Sequence, residues 1–230
     1  MVASMSDNNR SIKGIGMTSA RTRERLVRRL ADHGITNPLI LDRIRSVPRH
    51  LFVDEALASR AYEDSALPIG FGQTISQPYI VALMTQALLD DGGEIRRLDK
   101  VLEVGTGCGY QTAVVAPLVG QIFTIERIRG LMQATRARLA ELDINNVRYR
   151  HGDGMKGWPG QAPFDGILVA AAPAGVPATL TDQLAVGGRL IIPVGPPGRQ
   201  ELVRITRTDG GLEQEHLCYV SFVPLLEGVG

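Results

Sequence analysis

The residues best suited to chemistry cluster around one glycine turn, Glu103-Val-Gly-Thr-Gly-Cys-Gly109, which follows an apolar run and opens a helical one. Glycines at 105, 107 and 109 permit a tight turn and let backbone N–H groups approach a ligand closely. Glu126 lies about 20 positions further on, where a carboxylate can accept hydrogen bonds from two ribose hydroxyls. Asp153, in Gly-Asp-Gly, can accept from an adenine amino group. All three acids fall at the carboxyl ends of consecutive strands, where open α/β sheets bind ligands. A second stretch, Gly70-Phe-Gly-Gln-Thr-Ile-Ser-Gln-Pro-Tyr79, is uncharged and carries the hydroxyls of Thr74 and Ser76.

The turn does not fit a dinucleotide. The fingerprint G-x-G-x-x-G needs a third glycine where this chain has Tyr110. The pattern E-x-G-x-G-x-G resembles instead the first motif of the class I S-adenosylmethionine-dependent methyltransferases. A phenol or amine acceptor of a methyl group needs a base or a metal to expose its lone pair. A carboxylate, with a pKa near 4, needs neither. The chain offers no base where one would be required: Val169-Ala-Ala-Ala-Pro173 lacks Asp, Glu and His, and no Asn/Asp-Pro-Pro-Tyr element occurs. Histidines 33, 50, 151 and 216 have no metal-ligand spacing, and His151 reads as incidental. Neutral polar groups without a base point to an acceptor that arrives as an anion.

The elements that must position these residues follow from periodicity. The apolar run in RRLDKVLEV ahead of the glycine turn, QIFTIER, NVRYRHGDG, FDGILVAAA and RLIIPVG read as five strands alternating with helices. Strands apolar on both faces imply a parallel sheet covered on both sides. ELVRITRT and HLCYVSFVPL, joined through Asp209-Gly210-Gly211, read as a closing antiparallel hairpin. The expected fold is therefore α/β: a doubly wound, Rossmann-like, mostly parallel seven-stranded sheet with a C-terminal antiparallel hairpin and an N-terminal helical flank. In that flank TRERLVRRLADHG stops at Gly34, and Asn37-Pro38 caps a second helix. PATLTDQLAVGG reads as helical up to its glycines. Ser76, two residues before Pro78, reads as the N-cap of the apolar helix that follows, bonding the Tyr79 N–H. The N-terminus of that helix would favour the acceptor anion.

Bulk properties fit this picture. A chain of 230 residues with 44% hydrophobic and 21% charged residues and a formal charge of +1 has room for one large domain and no global field for nucleic acid or membrane. Five arginines between Arg21 and Arg29 read as a solvated helix face. Two isolated cysteines, Cys108 and Cys218, exclude a disulfide scaffold and suit a reducing cytoplasm. The start of the chain lacks the apolar core of a signal peptide, and no run approaches the roughly 18 apolar residues of a membrane span. Residues 1–20 read as a polar tail. Residues 21–230 read as a single domain, with flank and loop at 21–80, cofactor core at 98–195 and hairpin at 200–226.

From about residue 22 to 226 the chain closely resembles the protein-L-isoaspartate O-methyltransferases, through VPRHLFVDEA, AYEDSALPIGFGQTISQPYIVALM, VLEVGTGCGYQTAVVA, FTIERI, HGDG, FDGILVAAAP, QLAVGGRLIIPVG and FVPL in the same order. That resemblance implies methyl transfer from S-adenosylmethionine, without a metal, to the free carboxylate of L-isoaspartyl and more weakly D-aspartyl residues in damaged proteins and peptides. It implies a cytoplasmic monomer whose product is S-adenosylhomocysteine. Ser76, with Thr74 beside it, is implied at the reaction centre, and Ile75, Gln77, Ala171 and Ala172 on the substrate side. Glu103, Gly105, Thr106, Gly107, Gly109, Glu126, Arg127, Asp153 and Gly154 are implied to hold the cofactor. Phe71, Cys108 and Ala170 depart from the usual pattern and bear on substrate preference rather than activity. Three other readings share some features: a methyltransferase of small-molecule hydroxyls or amines, a nicotinamide-dependent oxidoreductase, and a non-catalytic module that keeps the cofactor pocket.

Overall fold

The computed structural model describes Gly14 and residues 16–230; residues 1–13 and 15 of the expected tail lie outside the described residues. The chain forms two compact units, one ending at Gln86 and one beginning at Ala87.

In the first unit, helix α1 (Ala20–Asp32) buries Leu26, Val27 and Leu30, the stripe that its i, i+4 spacing creates. It ends where Gly34 adopts φ +93°. The Ile35 and Gly34 N–H groups then donate to the carbonyls of Leu30 and Ala31, both at 3.1 Å. Asn37 caps α2 (Pro38–Ser46) as expected, its side chain accepting from the Leu39 N–H at 3.1 Å. Two 3-10 turns follow, Arg49–Phe52 and Glu55–Arg60. The next feature was not legible beforehand. Strands β1 (Leu67–Gly70) and β2 (Gln73–Ile75) form an antiparallel hairpin closed by Phe71-Gly72. Both turn residues have positive φ, +55° and +68°, as a type I′ turn requires. Helix α3 (Pro78–Leu89) follows directly.

In the second unit, a short hairpin of β3 (Asp90–Asp91) and β4 (Glu94–Ile95) precedes the main sheet. That sheet contains β5 (Lys100–Val104), β6 (Gln121–Glu126), β7 (Val147–His151), β8 (Phe164–Val169), β9 (Leu184–Val194), β10 (Gln200–Thr208) and β11 (Gly211–Val220). The spatial order is β11-β10-β9-β8-β5-β6-β7, parallel from β7 to β9 and antiparallel across β10 and β11. This is the expected seven-stranded sheet with its closing hairpin. One face buries Leu102, Val104, Phe123, Ile125, Ile167, Val169, Ile192 and Val203 in a continuous apolar core. Helices α4 (Tyr110–Val115), α5 (Arg129–Glu141) and α6 (Ala178–Thr181) connect strands.

The helix expected over PATLTDQLAVGG is a correction. Only Ala178–Thr181 is α-helical, and β9 already begins at Leu184. Pairing of β8 with β9 jumps from Phe164↔Leu184 to Gly166↔Arg189, so the extra residues bulge out where Gly187 takes φ +79°. A bulge needs an unpaired residue that tolerates positive φ, and the glycines supply it. They belong to the strand rather than to the end of a helix.

Candidate active site

The residues expected to hold the cofactor gather at the carboxyl ends of β5, β6 and β7. After Val104 the chain turns over the end of β6: the Gly105 N–H donates to the Ile125 carbonyl at 2.9 Å, with Gly105 at φ +91°. The turn closes on itself through the Gly109 N–H and the Thr106 carbonyl, at 2.9 Å. Gly109 has φ +85°, and a Cβ there would lie 2.5 Å from Thr135 Cγ2. Helix α5 reaches back from below, the Thr135 hydroxyl donating to the Gly107 carbonyl at 2.7 Å and Arg138 to that of Cys108 at 2.9 Å. With Gly107 and Cys108 carbonyls so engaged, the turn is held rigid from its protein side.

Glu126 ends β6 nearly buried. Its Oε2 accepts the Gly107 N–H and its Oε1 the Ile128 N–H, each at 2.9 Å. Each carboxylate oxygen keeps further lone-pair capacity. The same carboxylate that fixes the turn can therefore still accept from a diol. Arg127 contributes its carbonyl, which receives the Gly230 N–H at 2.8 Å and faces His151 Nε2 at 3.0 Å. His151 thus has a structural place. Asp153 accepts the Met155 N–H at 2.9 Å and caps a 3-10 turn at Gly154–Lys156. Gly154 is required by space, because a Cβ would collide with Val104.

Glu103 lies elsewhere than expected for a ligand-facing acid. It is 2% exposed and turned under the glycine turn. Its Oε2 accepts the hydroxyls of Thr112, at 2.6 Å, and Thr124, at 2.7 Å, and Thr124 in turn meets Thr106 at 2.6 Å. Burial pushes its carboxyl up to about 7, opposed by the two hydroxyl hydrogen bonds and assisted by the Glu126 charge. Oε1 has no hydrogen-bond partner among the described residues. Thr112, Thr124 and Thr135, which sequence reasoning passed over, form this underlayer; the only signal was that Thr124 lies two residues from Glu126.

Ala171 and Ala172 are buried. The Ala172 N–H donates to the Val223 carbonyl at 2.8 Å, and its own carbonyl receives the Leu225 N–H at 2.9 Å. The segment that follows β8 is thereby pinned to the closing Phe222-Val-Pro-Leu225 segment.

Thr74, Ile75, Ser76 and Gln77, expected on the acceptor side, occupy β2 and the entry to α3, in the first unit. Ile75 is buried, Thr74 exposed, and Ser76 and Gln77 half-buried. Ser76 is not the cap of α3. Gln77 holds that position, its carbonyl accepting the Val81 N–H at 3.1 Å. The Tyr79 N–H donates to Asp64 Oδ1 at 2.9 Å, so the capping side chain comes from 15 residues upstream. Asp64 also places a carboxylate where the helix dipole is positive, which removes the expected anion site there. The Ser76 hydroxyl makes no hydrogen bond among the described residues, while its carbonyl accepts from Arg49 Nη2 at 2.8 Å.

The residues present suit S-adenosylmethionine: a glycine cradle, an acid with spare acceptor capacity at the end of β6, and an acid at the end of β7. No group of three or more His, Cys, Asp or Glu side chains that could hold a metal occurs among the described residues. Residues 21–230 match the family model described as protein-L-isoaspartate(D-aspartate) O-methyltransferase. The chain is 57% identical over 212 residues to protein-L-isoaspartate O-methyltransferases of Pseudomonas syringae pv. tomato and Pseudomonas aeruginosa, covering 92% of this chain and 99% of each relative. Its fold is similar, with a TM-score of 0.73 and 26% identity, to a candidate protein-L-isoaspartate O-methyltransferase of Plasmodium falciparum in complex with S-adenosyl-L-homocysteine. That match covers 89% of this chain and 98% of the other. On the glycine turn, its acids and these likenesses together, the chain belongs to the protein-L-isoaspartate(D-aspartate) O-methyltransferase family.

Proposed function

We propose that Ser76 orients the acceptor carboxylate through its hydroxyl, and that catalysis consists of positioning rather than base chemistry. The protein is a carboxyl methyltransferase that repairs damaged proteins by methylating the free carboxylate of L-isoaspartyl residues. S-adenosylmethionine, when bound, supplies the electrophilic methyl group and leaves as S-adenosylhomocysteine. The carboxylate is ionised at neutral pH and needs no proton removed. What the chain must contribute is a donor that fixes one carboxylate oxygen, a firm cofactor cradle and exclusion of water. The observation that carries this reading is the Ser76 hydroxyl, left without an internal partner because Asp64 performs the capping. Thr74, exposed two residues earlier on β2, serves as a second donor.

Gly105, Thr106, Gly107, Gly109, Glu126, Arg127, Asp153 and Gly154 form the cofactor cradle in this reading, with Glu126 taking the ribose hydroxyls and Asp153 the adenine amino group. Glu103 supports the turn from beneath. Ile75, Gln77, Ala171 and Ala172 border the peptide. Residues 21–230 act as one methyltransferase domain, as a cytoplasmic monomer on damaged proteins, without nucleic acid or membrane. Among the described residues no helix is long and apolar enough to cross a membrane. Ser76→Ala tests the assignment: S-adenosylhomocysteine affinity stays within about twofold while kcat on an isoaspartyl peptide falls about tenfold or more. Collapse of cofactor affinity, or an unchanged kcat, would place Ser76 outside this role.

A further inference from the structure

We infer that Arg49 and Asp64 are positioning residues for the methyl acceptor, holding the two ends of the Ser76–Tyr79 corner so that the Ser76 hydroxyl stays free and aimed. This rests on the reading of Ser76 as the group that orients the carboxylate.

Arg49 is completely buried. Its Nε donates to the Ala61 carbonyl at 2.8 Å, and its Nη2 to the carbonyls of Ser76 at 2.8 Å and Ser65 at 3.4 Å. The planar fork of a guanidinium fixes several acceptors in one geometry, which an ammonium on a flexible stem does not. One side chain thus joins the 61–65 segment to the main chain of Ser76. Asp64, in the middle of that segment, takes the Tyr79 N–H at 2.9 Å. Pro78 has no N–H to offer. The corner is therefore tied at its first residue by Arg49 and at its last by a side chain that Arg49's own anchor segment carries. The consequence lies in what Ser76 does not do. A Ser before an apolar helix ordinarily spends its hydroxyl on the helix N–H groups. Here Asp64 has taken that bond, and Arg49 fixes the backbone from which the hydroxyl projects. A reacting group held in place this way is sensitive to small displacements, since a shift of about 1 Å can cost up to about a hundredfold in rate.

The test combines Asp64→Ala, Asp64→Asn and Arg49→Lys, each alone and with Ser76→Ala, measuring kcat and KM on an isoaspartyl peptide, S-adenosylhomocysteine affinity and thermal midpoint. Asp64→Ala lowers kcat about tenfold, leaves cofactor affinity within about twofold, and is rescued by Asp64→Asn, whose amide oxygen still accepts from Tyr79. In the Ser76→Ala background the same change costs less than about twofold in kcat, because the group it positions is gone. Arg49→Lys behaves likewise if it folds; if it does not, the Asp64 series carries the test alone. A tenfold loss that persists without Ser76, a parallel loss of cofactor affinity, or no loss in Asp64→Ala overturns the inference while leaving a defective Ser76→Ala intact. If Ser76→Ala itself keeps full kcat, the inference falls together with the reading beneath it.

Discussion

Replacing Glu103 by Gln should make the protein gain stability relative to wild type as the pH rises from 5 to 8. Glu103 is buried, and its carboxyl is raised from an ordinary 4.5 to about 7, chiefly by loss of hydration, against the hydroxyl bonds of Thr112 and Thr124. A raised folded-state pKa means that the folded protein holds the proton where the unfolded chain has released it. Stability from this group is thus complete below about pH 4.5 and is lost as pH climbs to about 7. The interval of about two and a half pH units, at 1.36 kcal/mol each, is worth about 3 kcal/mol. Between pH 5 and pH 8 the portion that titrates is about 2 kcal/mol. Gln reproduces the shape of the protonated acid, its oxygen taking the two threonine hydroxyls; its amide, with two N–H donors where the acid has one O–H, stands where Oε1 has no partner, a cost that is the same at both pH values. Urea unfolding of wild type and Glu103→Gln at both pH values cancels every other titrating group. The variant should gain about 2 kcal/mol over wild type on going from pH 5 to pH 8. Two curves that run parallel across that interval would refute the picture of a buried carboxyl held protonated under the glycine turn.

Other perturbations follow from local geometry. Gly109→Ala forces a non-glycine residue to φ +85° with its Cβ 2.5 Å from Thr135 Cγ2. It should lower unfolding free energy by at least about 2 kcal/mol and weaken S-adenosylhomocysteine binding, read by denaturation and calorimetry. Phe71→Asn converts the β1–β2 turn to Asn-Gly, the preferred type I′ pair, and removes an exposed aromatic ring from a left-handed position. Stability, read by urea denaturation, should rise by about 1 kcal/mol, and turnover of an isoaspartyl peptide should hold.

The sheet was legible in the sequence because parallel strands buried on both faces read as continuous apolar runs, as in Phe164–Val169, and the glycine turn because its spacing is short and its context local. What escaped depends on contacts between distant residues. The cap of α3 was assigned to Ser76 on adjacency, whereas Asp64 reaches it across a hairpin whose own turn, Phe71-Gly72, pairs a residue seldom found at positive φ with one often found there. Arginine is almost never fully buried, so nothing in the sequence marks Arg49 as a core residue, and its bonds to three distant carbonyls help make that burial tolerable. Glu103 sits at a strand end as Glu126 and Asp153 do, but the threonines at 112 and 124 draw it inward. The shortened α6 reflects a bulge in β9, a feature of strand pairing that no single segment announces.

The free carboxylate that this chain methylates exists only in isoaspartyl linkage. Two peptides of identical sequence, one with an L-isoaspartyl residue and one with normal aspartate, incubated with purified protein and methyl-labelled S-adenosylmethionine, test this most directly. Base-labile label is expected on the isoaspartyl peptide and none above background on its twin. Equal labelling of both, or of neither, would contradict it.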